Sequence, residues 1–87
     1  MANHKDAIKR HKQSENRRVR NRAIRTSMRN HVKAVRDAVE AGDSDRAKDL
    51  LSKATSVLHR TVSKGVIHRN QAARKISRLS AAVKSIA

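Results

Sequence analysis

The chain has 87 residues, enough for one domain and no large core, and sets 22 Lys and Arg against 7 Asp and Glu for a net charge of +15 with its five His uncharged. Self-repulsion on that scale opposes a compact free state and calls for a polyanionic partner. No Phe, Trp, Tyr or Cys occurs, which excludes disulfide scaffolds, cysteine-ligated metal sites and binders that stack bases on aromatic rings. The lack of Cys fits a reducing compartment. No apolar run approaches the roughly 18 residues of a membrane span, and the polar start Met1-Ala2-Asn3-His4-Lys5 is not followed by the apolar region of a secretory signal. A soluble, cytoplasmic chain without a membrane partner is predicted.

With no Pro and only Gly42 and Gly65 as glycines, the punctuation reads helix, glycine, helix, glycine, helix, and no strand pattern competes with it. The first helix is expected over about 5–41, a length of about 55 Å at 1.5 Å per residue. The second opens at Asp43-Ser44-Asp45, where short oxygen side chains accept free amide protons and acidic charge suits a helix N-terminus; it should run over 44–63. The third is placed over 69–86, preceded by Val66-Ile67, which suit a hydrophobic staple. Short connections make neighbouring helices antiparallel. The predicted fold is an all-α, three-helix antiparallel bundle, a single domain over residues 1–87.

Apolar spacing identifies the faces that meet. Ala72, Ile76, Leu79, Val83 and Ile86 form a narrow seam on the third helix, and Ala47, Leu50, Leu51, Ala54, Leu58 and Val62 a similar stripe on the second. On the first helix Ile24, Met28, Val32, Val35 and Val39 do the same, but stepping backwards along the stripe lands on Asn21, Arg17, Ser14 and Arg10. A helix without an apolar face has nothing to bury against its own protein. Residues 1–23, a basic extension, therefore need an outside partner to order them or stay disordered.

Charge follows the same division. Residues 1–36 carry 12 basic and 2 acidic side chains, residues 37–63 carry 4 and 5, and residues 64–87 carry 6 and none. Arg18, Arg22, Arg25, Arg29, Lys33 and Arg36 recur at helical spacing, a basic stripe about 100° around the helix from the apolar one. Such a helix can pack on its bundle and face phosphates at once. Lys5, Lys9, Arg10, Lys12, Arg17 and Arg20 carry the charge to the N-terminus on several faces, an arrangement suited to insertion between nucleic-acid elements. Arg74, Lys75 and Arg78 are expected on the side of the third helix opposite its seam. The arginine fork grips phosphate oxygens with two hydrogen bonds, where lysine offers a point charge. Without aromatics the partner reads as a structured nucleic acid recognised through its backbone. Asn21, Asn30, Asn70 and Gln71 either meet bases and 2′-hydroxyls or are surface and capping groups.

Other chemistries find no support. His4 and His11 are seven apart, His31 stands alone, and no His pair has the spacing of a helical metal site. His68, at the start of the third helix, reads equally as a cap or a phosphate contact. There is no nucleophile elbow and no Gly-rich phosphate loop, so no enzyme, no small-molecule substrate, no metal and no cofactor are predicted. A DNA-binding dimer of basic-zipper layout, or a nucleoid-type protein, is the alternative. Its seam from Ile24 to Gly42 spans just over two heptads, short of the three or four a zipper needs. A membrane-active helix would bring Trp, Phe or Leu to its apolar face, and the first helix has none.

The run Lys64-Gly65-Val66-Ile67-His68-Arg69-Asn70-Gln71-Ala72-Ala73-Arg74-Lys75-Ile76-Ser77-Arg78-Leu79 resembles the bacterial small-subunit ribosomal protein S-twenty family. The likeness extends to Ala2-Asn3, Lys9-Arg10, Ser14-Glu15, Arg25-Thr26-Ser27-Met28-Arg29 and Glu40-Ala41-Gly42-Asp43, nearly the whole chain. It departs where Thr26 replaces an expected Ser, Asn30 a Thr, and Ile76 a commonly basic residue. The resemblance implies a three-helix bundle with a long, protruding basic N-terminal helix. It also implies direct binding, as a monomer within the ribosome, to small-subunit ribosomal RNA near the base of the subunit body, with a role early in assembly. By resemblance the RNA-facing residues are Lys9, Arg10, Arg17, Arg25, Arg29, Lys64, His68, Arg69, Asn70, Arg74, Lys75 and Arg78. Charge patterning adds Lys5, Lys12, Arg18, Arg20, Arg22 and Lys33, and Asn21 joins them as a polar group able to meet bases or 2′-hydroxyls.

Overall fold

A computed structural model describes the backbone of residues 2–87 and the side chains of residues 6–87. The described chain forms α1 (Ala2–Glu40), α2 (Ser44–Ser63) and α3 (Arg69–Ile86), with no strand among these residues. α1 begins at Ala2, ahead of the residue 5 expected.

Both glycines end helices in the left-handed region, Gly42 at φ +71° and Gly65 at φ +74°. After α1, the Gly42 amide donates to Val39 O at 3.0 Å and the Asp43 amide to Ala38 O at 3.1 Å. After α2, the Gly65 amide donates to Val62 O at 2.9 Å and the Val66 amide to Thr61 O at 3.2 Å. These paired bonds are the Schellman closure, which satisfies the last carbonyls of a helix and turns the chain back. Asp43 serves two helices, since its Oδ1 also accepts the Arg46 amide at 3.2 Å and so caps α2.

The register of the bundle follows from which residues share its hollows. Ala34, Asp37 and Ala38 of α1, with Ala41 just past its end, lie beside Asp43 and Arg46, whereas Ile24, Ser27 and His31 lie beside Val57, Arg60 and Lys64, so α1 and α2 are antiparallel. α3 runs back alongside α1: Met28 to Arg36 flank Lys75, and Arg36 to Glu40 flank Arg78, Leu79 and Ala82. The core joins Met28, Val35 and Ala38 to Ala47, Ala54 and Leu58 and to Ala72, Leu79 and Val83. Four of these nine residues are alanines, small enough to let the helices approach closely. Ala38, Thr61 and Val66 are buried although the apolar stripes omit them. Thr61 is tolerated because its hydroxyl donates to Val57 O at 2.7 Å.

The core stops at Met28, and Ile24 above it is half-buried. Beyond, α1 leaves the bundle as an arm about 33 Å long over residues 2–23. From Asp6 to Arg20 every side chain is exposed except half-buried Glu15. The radius of gyration is 17.7 Å, where a compact chain of this length would have about 12 Å. The seam that a basic-zipper dimer would need is already used: Met28 and Val35 are buried against the chain's own α2 and α3, with Val32 and Val39 packed beside them. That corrects the zipper alternative.

Candidate nucleic-acid interface

The basic stripe of α1 meets α3 in a groove. Arg29, Lys33 and Arg36 stand with Lys75 around a hollow of about 230 Å³ floored by Met28 and Val32. A second hollow, of about 320 Å³, continues it between Arg36, Val39 and Glu40 on one side and Arg78, Leu79 and Ala82 on the other. Arg36 belongs to both. Five cations thus line one groove against a single acid, Glu40. The sequence reading placed Lys75 and Arg78 opposite the α3 seam, and the structure corrects it: Lys75 is half-buried beside the seam, Arg78 lines the groove, and only Arg74 of the three stays outside. The reason is angular, since Lys75 lies one residue from Ile76 and about 60° from the middle of the seam.

Above the groove the stripe continues through Arg25, Arg22 and Arg18, all exposed. Arg18 pairs with Glu15 at 3.1 Å, the one ion pair among the described residues. Lys9, Arg10, Lys12, Arg17 and Arg20 are exposed on the arm, and Asn21 is half-buried where the arm joins the bundle. The side chain of Lys5 lies outside the described residues. The arm therefore presents cations around its circumference with little internal neutralisation.

Lys64, His68, Arg69 and Asn70 form a separate exposed group at the turn between α2 and α3. His68 caps α3: its Nδ1 accepts the Asn70 amide at 3.1 Å. An accepting Nδ1 is unprotonated, so the uncharged ring carries its proton on Nε2, at the far end from the helix. Capping and phosphate contact, alternatives in the sequence, are compatible in one side chain. The positive end of the α3 dipole lies at the same place.

Sequence reasoning left out Arg36 as a binding residue, although it sits at the junction of the two hollows. It also passed over Ser27, His31 and Arg60, which share a hollow with Lys64 between α1 and α2. Among the described residues no group of His, Cys, Asp or Glu could hold a metal ion, and no helix is long and apolar enough to cross a membrane.

The sequence model for ribosomal protein S20 matches residues 2–84. Curated relatives agree with it. The chain is 58% identical over 87 residues to the small ribosomal subunit protein bS20 of Maridesulfovibrio salexigens, covering the whole of both. It is 59% identical over 86 residues to the protein of that name from Oleidesulfovibrio alaskensis, covering 99% of each. With that of Magnetococcus marinus it shares 53% over 87 residues, all of this chain and 95% of the relative. The matched span runs from the tip of the arm into the last turn of α3, and so takes in the groove, the capped turn and the arm together: the chain belongs to the ribosomal protein S20 family.

Proposed function

We propose that this chain binds small-subunit ribosomal RNA directly, through phosphate contacts made by the arm, the α1/α3 groove and the turn at Lys64 to Asn70, and thereby supports assembly of the subunit. Family membership makes it a structural constituent of the cytoplasmic small ribosomal subunit and not an enzyme. The observation that carries the finer reading is the basic stripe: six cations at helical spacing on α1, with Arg18 alone in an ion pair among the described residues and with Lys75 and Arg78 converging on the same groove. Charges held apart from their own acids in this way are matched by a row of phosphates. The contacting set is Lys5, Lys9, Arg10, Lys12, Arg17, Arg18, Arg20, Asn21, Arg22, Arg25, Arg29, Lys33, Lys64, His68, Arg69, Asn70, Arg74, Lys75 and Arg78, to which the groove adds Arg36. Residues 1–23 lack an apolar face and take their order from RNA. The chain works as a monomer, with neither a membrane nor a small-molecule substrate as partner.

The mechanism is electrostatic, with the shape of the groove and arm selecting the RNA. Eight neutralised phosphates imply that log affinity falls with log salt at a slope of roughly −6 to −7. Titrating a small-subunit ribosomal RNA fragment from the base of the body at several salt concentrations measures it. A slope near zero would refute this reading.

A further inference from the structure

On the other side of α1 from the basic groove, Ile24, Ser27 and His31 share a hollow of about 210 Å³ with Val57, Arg60 and Lys64 of α2. At 100° per residue, Ser27 and His31 lie about 160° around α1 from Arg29 and Lys33. Arg60 and Lys64 are exposed, one helical turn apart, and neither joins an ion pair among the described residues. Half-buried Ile24 and Val57 floor the hollow.

The histidine defines what this corner can take. His31 Nδ1 lies 2.8 Å from Ser27 O, and a carbonyl oxygen only accepts, so Nδ1 carries the proton and donates. The distal Nε2 of the uncharged ring is then an acceptor, the reverse of the tautomer at His68. An acceptor beside an arginine and a lysine suits a ribose carrying a 2′-hydroxyl donor next to its phosphate. The exposed hydroxyl of Ser27 adds a donor for a phosphate oxygen.

We propose that Ser27, His31, Arg60 and Lys64 form a second ribose-phosphate site on the α2 side of α1, where the two cations hold an RNA phosphate and His31 Nε2 accepts from the neighbouring 2′-hydroxyl. The inference rests on the RNA-binding reading above and joins Ser27, His31 and Arg60, which neither the resemblance nor the charge stripe assigns, to Lys64, which the resemblance does. Lys9, Arg17 and Arg20 continue the site along the arm, each within about 60° of the line through Ser27 and His31.

Two measurements on the full chain with the ribosomal RNA fragment decide it. The chain has no cysteine, so a single introduced one can carry an iron chelate that cuts adjacent RNA backbone. Ser63→Cys lies beside Arg60, and Gln71→Cys lies one turn before Lys75 on α3; both native residues are exposed. Cutting from position 63, at a strand different from that cut from position 71, is expected. Cutting from position 71 alone overturns the site. In parallel, Arg60→Gln with Lys64→Gln should reduce the salt slope by about 0.7 to 0.9, the share of one phosphate, and His31→Leu should weaken binding several-fold with the slope unchanged. If these variants bind as the unaltered chain does while Arg29→Gln with Lys33→Gln loses slope, the second site is wrong and the general reading stands. If no variant loses slope, both fall.

Discussion

His68 is the residue at which helix stability and RNA contact can be separated by two substitutions. Its Nδ1 holds the Asn70 amide at 3.1 Å and starts α3, while its Nε2 proton is directed away from that bond. Replacing it by Ala removes both the cap and the proposed RNA contact; replacing it by Asn supplies a favoured N-cap oxygen and removes the distal donor. Loss of an N-cap costs about 1 kcal/mol, and in a chain of this size that lowers Tm by about 4 to 8 °C. A hydrogen bond to a charged group is worth about 1.5 to 3 kcal/mol, so loss of a phosphate contact should weaken RNA binding roughly 10- to 150-fold. His68→Ala should therefore show the Tm drop and the weakened binding together, and His68→Asn the weakened binding alone. Thermal unfolding followed by circular dichroism gives the first quantity, and RNA titration at fixed salt the second. If His68→Asn melts as early as His68→Ala, the cap is not what starts α3. If both bind RNA like the unaltered chain, the distal nitrogen touches no phosphate.

Three further outcomes follow from the packing and the groove. Leu58→Ala empties a fully buried position at the centre of the core and should cost about 2 to 5 kcal/mol, measured by thermal or urea unfolding. Gly65→Ala meets no atom within 4 Å but forces alanine to φ +74°, so it should lose about 1 to 2 kcal/mol to backbone strain alone; Gly65→Asn should lose less, because asparagine tolerates that region better. Lys33→Gln with Lys75→Gln takes one cation from each wall of the α1/α3 groove. The salt slope should shrink by about 1.4 to 1.8, so that a fourfold rise in salt costs about 7- to 12-fold less affinity than in the unaltered chain.

The bundle was legible because its signals are local and agree with one another. Gly42 and Gly65 are the only glycines in a chain without proline, and both take the positive φ that ends a helix. The seams on α2 and α3 repeat at 3.6-residue spacing, and most of their members are buried or packed against the core. The break in the α1 stripe above Ile24 marks where the arm leaves the bundle. What escaped were features that depend on two helices at once. Lys75 was assigned to an outer face because its own helix carries an apolar seam, and only the parallel approach of α1 and α3 turns a residue flanking that seam into a wall of the groove. Ser27, His31 and Arg60 are polar residues from different helices, so no single-helix pattern links them. One signal could have found them: in an antiparallel pair hinged at Gly42, residues equidistant from the hinge meet, which sets Ser27 opposite Val57 and Ile24 opposite Arg60, four residues of that hollow. Thr61 escaped because buried threonine satisfies its own hydroxyl within the helix, at Val57 O, and so leaves no trace in an apolar pattern.

If the arm binds RNA as proposed, RNA binding and helix formation are coupled in this chain. The stripe Arg18, Arg22, Arg25, Arg29, Lys33 and Arg36 gives five consecutive like-charge pairs at i,i+3 or i,i+4 spacing. Each such pair destabilises a helix by about 0.2 to 0.5 kcal/mol, and the five together by about 1 to 2.5 kcal/mol. Glu15 relieves Arg18 only, through an exposed ion pair that contributes little. Tertiary packing offsets the repulsion from Met28 downwards, where α2 and α3 cover the apolar face, but above Ile24 none of the described side chains does. Phosphates laid along the stripe remove the repulsion and gain the attraction at the same time. Under the proposed function the linkage runs in both directions, because the helix holds those six cations in one row, and a row of anions stabilises the unsupported half of the helix. It follows that the helix content of the arm should rise with RNA and fall with salt in parallel with affinity, whereas the bundle below Met28 should keep its helix content; circular dichroism of the full chain, with amide exchange comparing the arm against residues 28–87, separates the two. Arm amides that are as protected without RNA as with it would mean that the arm's stability has a source inside the protein, and the coupling would be wrong.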